Sequence, residues 1–281
     1  MFAYSCAIRW SDLDVQGHVN NAVIVDYLQQ ARVAFWHGSP LAHSSDEGSL
    51  VISNQVEYLA PISYRDGAID IALSIGSVGG AKFEVAYQLS QRGEPVANAR
   101  TTMCPFDFGS QQPRRLTPEQ RQYLAKYETA LPALRDLPQL VPGKRSVSVP
   151  VQVRWSDLDA YGHVNNVAMY EYVQEARVVA TQRIEHDLAG MSEASSSLWL
   201  VVRQDVDYLQ QLHHRLEPYE MQVTPVALGR SSVTLVSELV DEDQVRYATG
   251  TTVLVYADAA GRPKELADDM RSLLQRWGEA A

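Results

Sequence analysis

The segment Arg9–Val33, RWSDLDVQGHVNNAVIVDYLQQARV, returns at Arg154–Val178 as RWSDLDAYGHVNNVAMYEYVQEARV. Sixteen of the twenty-five aligned positions are identical at a constant offset of 145, where unrelated segments of average composition match at roughly one or two. The chain therefore carries one unit twice, and both copies must satisfy one fold. Downstream the offset becomes 150: Val56, Tyr58 and Leu59 match Val206, Tyr208 and Leu209, Arg65 matches Arg215, Gly79 matches Gly229, and Thr101-Thr102 match Thr251-Thr252. Five extra residues thus enter the second copy between Val178 and Val206. The Ser-rich stretch Ser192–Ser197 predicts a loop that takes them.

Each copy runs for roughly 125 residues, an ordinary domain size. A Pro-punctuated segment from Ala130 to Pro150 separates them, which predicts an N-terminal domain over residues 1–129, a linker over 130–146 and a C-terminal domain over 147–281. Lys+Arg 24 against Asp+Glu 34 leaves a net charge of −10, which argues against the basic footprint that nucleic-acid binding requires. The start, MFAYSCAIRWSDLD, lacks a basic segment followed by an apolar run, and no apolar run approaches a membrane span. With only two cysteines, Cys6 and Cys104, there is no disulfide framework. The expectation is a cytoplasmic protein without a membrane partner.

Within each copy a short strand (Tyr4–Trp10, Val149–Trp155) leads into a polar, Gly-containing turn. Helical spacing follows, through Val23, Tyr27, Ala31 and Ala34 and through Ala168, Tyr172, Ala176 and Val179. The texture then changes to short β-branched runs, in the first copy Leu50–Leu59, Ala68–Ser77, Lys82–Ser90 and Pro95–Phe106. This predicts an α+β unit of order β-α-β-β-β-β, an antiparallel five-stranded sheet wrapped around one central helix. Amphipathic helices over Pro118–Leu131 and Glu265–Trp277 close the copies.

The string retained in both copies is Asp12-Leu13-Asp14-x-x-Gly17-His18-Val19-Asn20-Asn21 and Asp157-Leu158-Asp159-x-x-Gly162-His163-Val164-Asn165-Asn166. It feeds a helix start, where unpaired backbone N–H groups and the positive dipole end can polarise a carbonyl or hold an oxyanion. A carboxylate beside such a site can attack a carbonyl or deprotonate water. The same residue types also form Asx-turns and N-caps. Two residues share a face only while the chain stays extended, so spacing leaves open which aspartate of each pair meets a ligand.

These motifs resemble the hotdog thioesterases, specifically the 4-hydroxybenzoyl-CoA thioesterase-like group and the acyl-ACP thioesterases. Their signature is an aromatic residue, a D-x-D, then G-(H/V)-V-N before the central helix, and Tyr58-Leu59-Ala60-Pro61 matches a further Tyr-x-x-Pro element. The resemblance implies two tandem hotdog domains forming an intrachain pseudo-dimer, with sites between paired units. It implies hydrolysis of an acyl-CoA thioester, within fatty acid metabolism, with Asp14 and Asp159 as nucleophile or as general base for water. Helix N-terminal amides would bind the thioester oxygen.

His18 and His163 match a catalytic histidine of the plant acyl-ACP enzymes, whose pattern is D-x-N-x-H; their other reading is a backbone hydrogen bond at the helix start. Gln16 and Tyr161 stand where those enzymes have Asn, so the two sites should work at unequal rates. Copy two also has Gln211 in place of Pro61. Gly17, Gly162, Val19, Val164, Asn20 and Asn165 are the candidates for lining the substrate site, the asparagines doubling as caps. Arg65 and Arg215 are candidates for the CoA phosphates, with a solvated surface role as the alternative; Lys82, Arg114 and Arg115 carry the same ambiguity. Arg32 and Arg177, inside the helix, are expected to pair with carboxylates.

Other chemistries find less support. Asp12-x-Asp14-x-Gln16-Gly17 imitates an EF-hand, yet the twelfth position is Val23, or Ala168 in copy two, where calcium needs a bidentate Glu. No H-E-x-x-H, paired C-x-x-C or Walker A string occurs, so neither metal nor cofactor is expected. Gly79-Gly80 reads as a turn, and Cys6 and Cys104 as small core residues. The rival functions are an acyl-ACP thioesterase, a hydratase on the same fold, and a non-catalytic acyl-CoA-binding module. Further pairing into homo-oligomers through exposed sheet faces is also expected.

Overall fold

Residues 24, 25, 27, 28, 31 and 35 of the first predicted helix are all apolar, and all are buried. That stripe is too broad for a partner on one side only, and the chain meets it with a curved sheet. The computed structural model describes residues 1–42, 47–131, 133–137, 146–189 and 198–278. They fall into two compact units, Met1–Arg135 and Asp136–Ala281.

The N-terminal unit contains β1 (Phe2–Cys6), α1 (Val23–Trp36), β2 (Glu47–Tyr58), β3 (Ile69–Val78), β4 (Phe83–Gln91), β5 (Glu94–Asp107), the short β6 (Gln112–Pro113) and α2 (Pro118–Ala125). Its antiparallel sheet has the order β1-β3-β4-β5-β2, with β6 beside β5. The C-terminal unit contains β7 (Val147–Val151), α3 (Asn166–Ala189), β8 (Leu198–Tyr208), β9 (Tyr219–Leu228), β10 (Ser232–Val240), β11 (Arg246–Ala257) and α4 (Asp268–Gly278). Its order, β7-β9-β10-β11-β8, is that of the first sheet. Among the described residues no helix is long and apolar enough to cross a membrane.

Several boundaries differ from expectation for local reasons. The first strand of each unit stops early because Trp10–Asp12 and Trp155–Asp157 wind into single 3-10 turns. The helix α1 ends at Trp36 as Gly38 takes a φ of +70° with Pro40 beyond it. At the matching positions α3 has Arg183 and Glu185 and runs on to Ala189. The extra residues of copy two therefore enter at least partly as helix, and Ser192–Ser197 lies outside the described residues.

The helix predicted over Pro118–Leu131 is capped by Thr117, whose side chain accepts from Gln120 N, and stops at Ala125. Beyond it Ile75 N donates to Tyr127 O and Thr129 N to Ile75 O, both at 2.9 Å, so the chain extends along β3 instead of continuing the helix. The Tyr127 ring packs edge-on against Phe35 at 4.8 Å.

The repeat is also offset by one further residue at its last strand. Asn54 is paired with Thr101 in the first unit and Gln204 with Thr252 in the second, so Thr252 rather than Thr251 is the counterpart of Thr101. Arg92-Gly93 closes the β4–β5 hairpin with positive φ at both residues, whereas five residues, 241–245, join β10 to β11.

Arg32 is 3% exposed and donates to Tyr87 Oη at 3.0 Å and to Thr101 Oγ1 at 3.2 Å. The Thr101 hydroxyl in turn donates to Asn54 Oδ1 at 2.6 Å. The expected carboxylate partner is replaced by hydroxyls that solvate the cation inside the core. Tyr87→Phe, which removes one of them, should lower stability by about 2 kcal/mol, the worth of a buried hydrogen bond to a charged group, seen as a lower urea midpoint.

Candidate active site

Both aspartates of each retained string are fixed by short hydrogen bonds, and they do different work. Asp12 Oδ2 accepts from Arg9 N at 2.7 Å and from Tyr27 Oη at 2.6 Å, while Asn20 N donates to its carbonyl at 2.8 Å. Asp157 repeats this with Arg154 N at 2.8 Å, Tyr172 Oη at 2.5 Å and Asn165 N at 2.8 Å. Burial, and then the bond to the carboxylate, push both phenols far above the ordinary tyrosine range. The first aspartate of each pair is thus turned inward, tying the loop to the helix that follows it.

The second aspartate shapes the turn. Asp14 Oδ1 accepts from Gln16 N at 2.8 Å and His18 N at 3.2 Å, and Asp159 Oδ1 accepts from Tyr161 N at 2.8 Å and His163 N at 3.1 Å. The backbone closes the same loop, with Gly17 N donating to Asp14 O at 3.0 Å and Gly162 N to Asp159 O at 3.1 Å. Gly17 and Gly162 stand at φ of +78° and +79°, a conformation that costs a side-chain-bearing residue. Their placement accounts for them as backbone elements of the turn. Among the described residues Oδ2 of Asp14 and of Asp159 accepts no hydrogen bond, so each carboxylate keeps one oxygen open.

Val19 N donates to Ile62 O at 3.0 Å and Val164 N to Leu212 O at 2.9 Å, pinning the loop to the segment before the third strand. Asn20 Oδ1 accepts from Ala22 N, and Asn165 Oδ1 from Val167 N, each at 3.0 Å; Asn165 thereby caps α3, while Asn20 closes an Asx-turn just ahead of α1, whose own N-cap residue is Ala22. The carbonyl of the second asparagine is held by a strand tyrosine, Tyr58 on Asn21 at 3.0 Å and Tyr208 on Asn166 at 2.8 Å. At the start of α1 the amides of Ala22, Val23 and Ile24 are all bonded. Asn21 N–H is not, among the described residues. It lies at the positive end of the helix and is the one amide there free to receive an oxyanion.

The two copies diverge around this common frame. The His18 ring has no partner among the described residues, while the His163 ring stands edge-on to His213 with centroids 5.0 Å apart. Trp155 likewise meets His214 edge-on at 5.6 Å, where the first unit pairs Trp10 with Tyr64 at 5.8 Å. Both tryptophans are largely exposed. Burial pushes the His163 imidazole below the ordinary histidine range; Asp159 acts against this and His213 adds to it. Tyr161 is pushed up, first by burial and then by Asp159. His213 and His214 escape a search for residues retained in both copies, because they occupy the positions of Ser63 and Tyr64. The useful signal was the difference between the copies.

Arg65 and Arg215 are also unlike. Arg65 is exposed and its guanidinium is unpaired among the described residues. Arg215 donates to Glu242 Oε2 at 2.6 Å and to Pro218 O at 3.0 Å, with its guanidinium 3.8 Å from the Tyr219 ring centroid. Arg114 is engaged too, with Glu47 and Gln120, both at 3.2 Å. Cys6 and Cys104 are buried thiols, both pushed up by desolvation, and lie in the core. Among the described residues no group of three His, Cys, Asp or Glu side chains is arranged to hold a metal ion.

A helix wrapped by an antiparallel sheet, met twice, and a turn of this build define a tandem hotdog protein. The chain belongs to the thioesterase-like superfamily, whose profile matches residues 8–124 and 153–275, one segment in each copy. Over 110 residues it is 36% identical to the uncharacterized protein YsmA of Bacillus subtilis (strain 168), covering 37% of this chain and 69% of that one. Solved structures share the fold at low identity. An oleoyl thioesterase of Lactobacillus plantarum superposes with a TM-score of 0.73 at 14% identity, over 94% of this chain and 97% of that one. The 12:0-ACP thioesterase of Umbellularia californica gives 0.72 at 14%, over 94% of both.

Removing the inward hydrogen bond should loosen the loop without touching the open carboxylate. Tyr172→Phe leaves a half-buried Asp157 oxygen short of a donor and should cost about 1 kcal/mol. Hydrogen exchange at the Arg154 and Asn165 amides should quicken in step.

Proposed function

We propose that this protein hydrolyses acyl-CoA thioesters, using Asp14 and Asp159 as the catalytic carboxylates. The observation that carries this reading is the half-used carboxylate. One oxygen of each is committed to the turn, which fixes the group, and the other is open beside a helix start. Acting as general base, Oδ2 takes a proton from water as the water oxygen bonds to the acyl carbon and the carbonyl π pair moves onto oxygen. A helix-start amide, Asn21 N–H in the first copy, receives that oxyanion. Collapse of the tetrahedral adduct breaks the C–S bond, and the leaving thiolate takes the proton back from the carboxylic acid. Free acid and CoA result.

The carrier is CoA rather than acyl carrier protein because the chain's net charge of −10 opposes encounter with another acidic protein. The acyl-ACP thioesterase among the structural relatives keeps ACP as the alternative carrier. His18 and His163 serve as the second proton-handling groups. Gly17, Gly162, Val19, Val164, Asn20 and Asn165 shape the substrate site. In this reading the enzyme works in the cytoplasm, with domains over 1–129 and 147–281, a linker over 130–146 and chains that pair into homo-oligomers.

Thiol release from a panel of acyl-CoAs tests the activity. Asp14→Ala and Asp159→Ala should each lose part of it, unequally, and the double variant about a hundredfold or more. Binding of acyl-CoA without thiol release would instead make the chain an acyl-CoA-binding module.

Arg65 and Arg215 should separate under the same assay. Arg65→Ala should raise KM for acyl-CoA about two- to fivefold, as expected of one solvent-exposed ionic contact, with no change for acyl-pantetheine, which lacks the nucleotide phosphates. Arg215→Ala should leave that ratio unaltered, since its guanidinium is already engaged by Glu242, Pro218 and Tyr219.

A further inference from the structure

We propose that His213 is the positioning residue that orients the His163 imidazole in the C-terminal site. The inference rests on the thioesterase reading above and deepens it.

A histidine that handles protons is ordinarily oriented by a hydrogen bond to its second ring nitrogen. His163 has none: its Nδ1 is buried and meets no donor or acceptor among the described residues. Its backbone is well held, since His163 N donates to Asp159 Oδ1 and the residue forms an antiparallel bridge with His213. That leaves the ring's orientation to packing, and the packing partner is His213, edge-on at 5.0 Å with the planes 66° apart. His213 is itself anchored, its carbonyl accepting from Tyr219 Oη at 3.1 Å. In the first unit the same backbone bridge joins His18 to Ser63, which has no ring to offer. The two loops therefore share a frame and differ in whether the imidazole is braced.

The brace also sets charge. The ionisable groups facing His163 are Asp159 in its own turn and His213 across the bridge, and together with burial they leave its pKa lowered. An imidazole with a lowered pKa stays neutral over more of the acid range and remains able to accept a proton there. Replacing His213 by serine removes one lowering influence and exposes the ring, so the His163 pKa should rise, and the acid limb of the rate profile with it.

The test compares His213→Ser with His213→Phe in an Asp14→Ala background, which isolates the C-terminal site. For the serine variant kcat should fall about tenfold with little change in KM, the signature of a misplaced group, and the acid limb of kcat/KM should move to higher pH. The phenylalanine variant keeps the edge-on ring and should recover most of kcat. In parallel, NMR titration of the His163 ring in the otherwise native chain should show its pKa rising in His213→Ser. Unchanged titration and an unchanged pH profile in the serine variant would overturn the proposal, as would a phenylalanine variant as slow as the serine one. Should the native chain release no thiol, the thioesterase reading fails. The NMR titration still decides whether His213 sets the state of His163.

Discussion

The buried hydrogen bond from Tyr27 to Asp12, repeated from Tyr172 to Asp157, fixes the distance between the polar loop and the helix it feeds. Its consequences run in both directions along the chain. Towards the N-terminus the same Asp oxygen takes the amide of Arg9 or Arg154, which ends the first strand in a single 3-10 turn. Towards the C-terminus the Asp carbonyl takes the amide of Asn20 or Asn165, whose side chain then accepts from the amide two residues on, at the entry to the helix. With both ends set, the intervening residues have room for one compact turn, which Asp14 or Asp159 closes through Oδ1. The carboxylate is acceptable in this inward position because a backbone amide and a phenol hydroxyl donate to it from two sides.

This arrangement explains why so much of the frame was legible beforehand. The repeat, the order of elements and the sheet around a helix follow from periodicity and from the need to bury a broad apolar stripe. Which aspartate turns inward was not legible, because it depends on a tyrosine fifteen residues away reaching back across the loop. Nor was the hydroxyl cage of Arg32, whose partners Tyr87 and Thr101 lie 55 and 69 residues beyond it. The length of α3 was missed for a simpler reason. The absence of a Gly or Pro stop is weaker to the eye than a Ser-rich run, yet it decides where the helix ends. The shift from Thr251 to Thr252 arises in a hairpin where sequence identity is too sparse to show a one-residue insertion.

The candidate site was legible only in what the copies share. Matching residues locate the turn, and the structure then separates their roles: glycine for a positive φ, the first asparagine for the entry to the helix, one oxygen of the second aspartate for the loop. What distinguishes the sites is held by residues that do not match. Ser63-Tyr64 correspond to His213-His214, and an Arg65 whose guanidinium is unpaired among the described residues corresponds to an Arg215 engaged by a carboxylate, a carbonyl and an aromatic ring.

These differences are compatible with one frame because the turn is closed by the shared aspartate, Asp14 or Asp159, acting on backbone amides. Among the described residues the side chains of Gln16, Ser63 and His213 make none of the hydrogen bonds that close it, so these positions can change without moving the carboxylate. Duplication thus gives two copies of a rigid loop on which flanking residues vary independently. Such a loop can keep a carboxylate in place while the surrounding rings set the orientation and charge of a neighbouring imidazole. Here the N-terminal loop can keep the simpler arrangement while the C-terminal loop acquires the braced one.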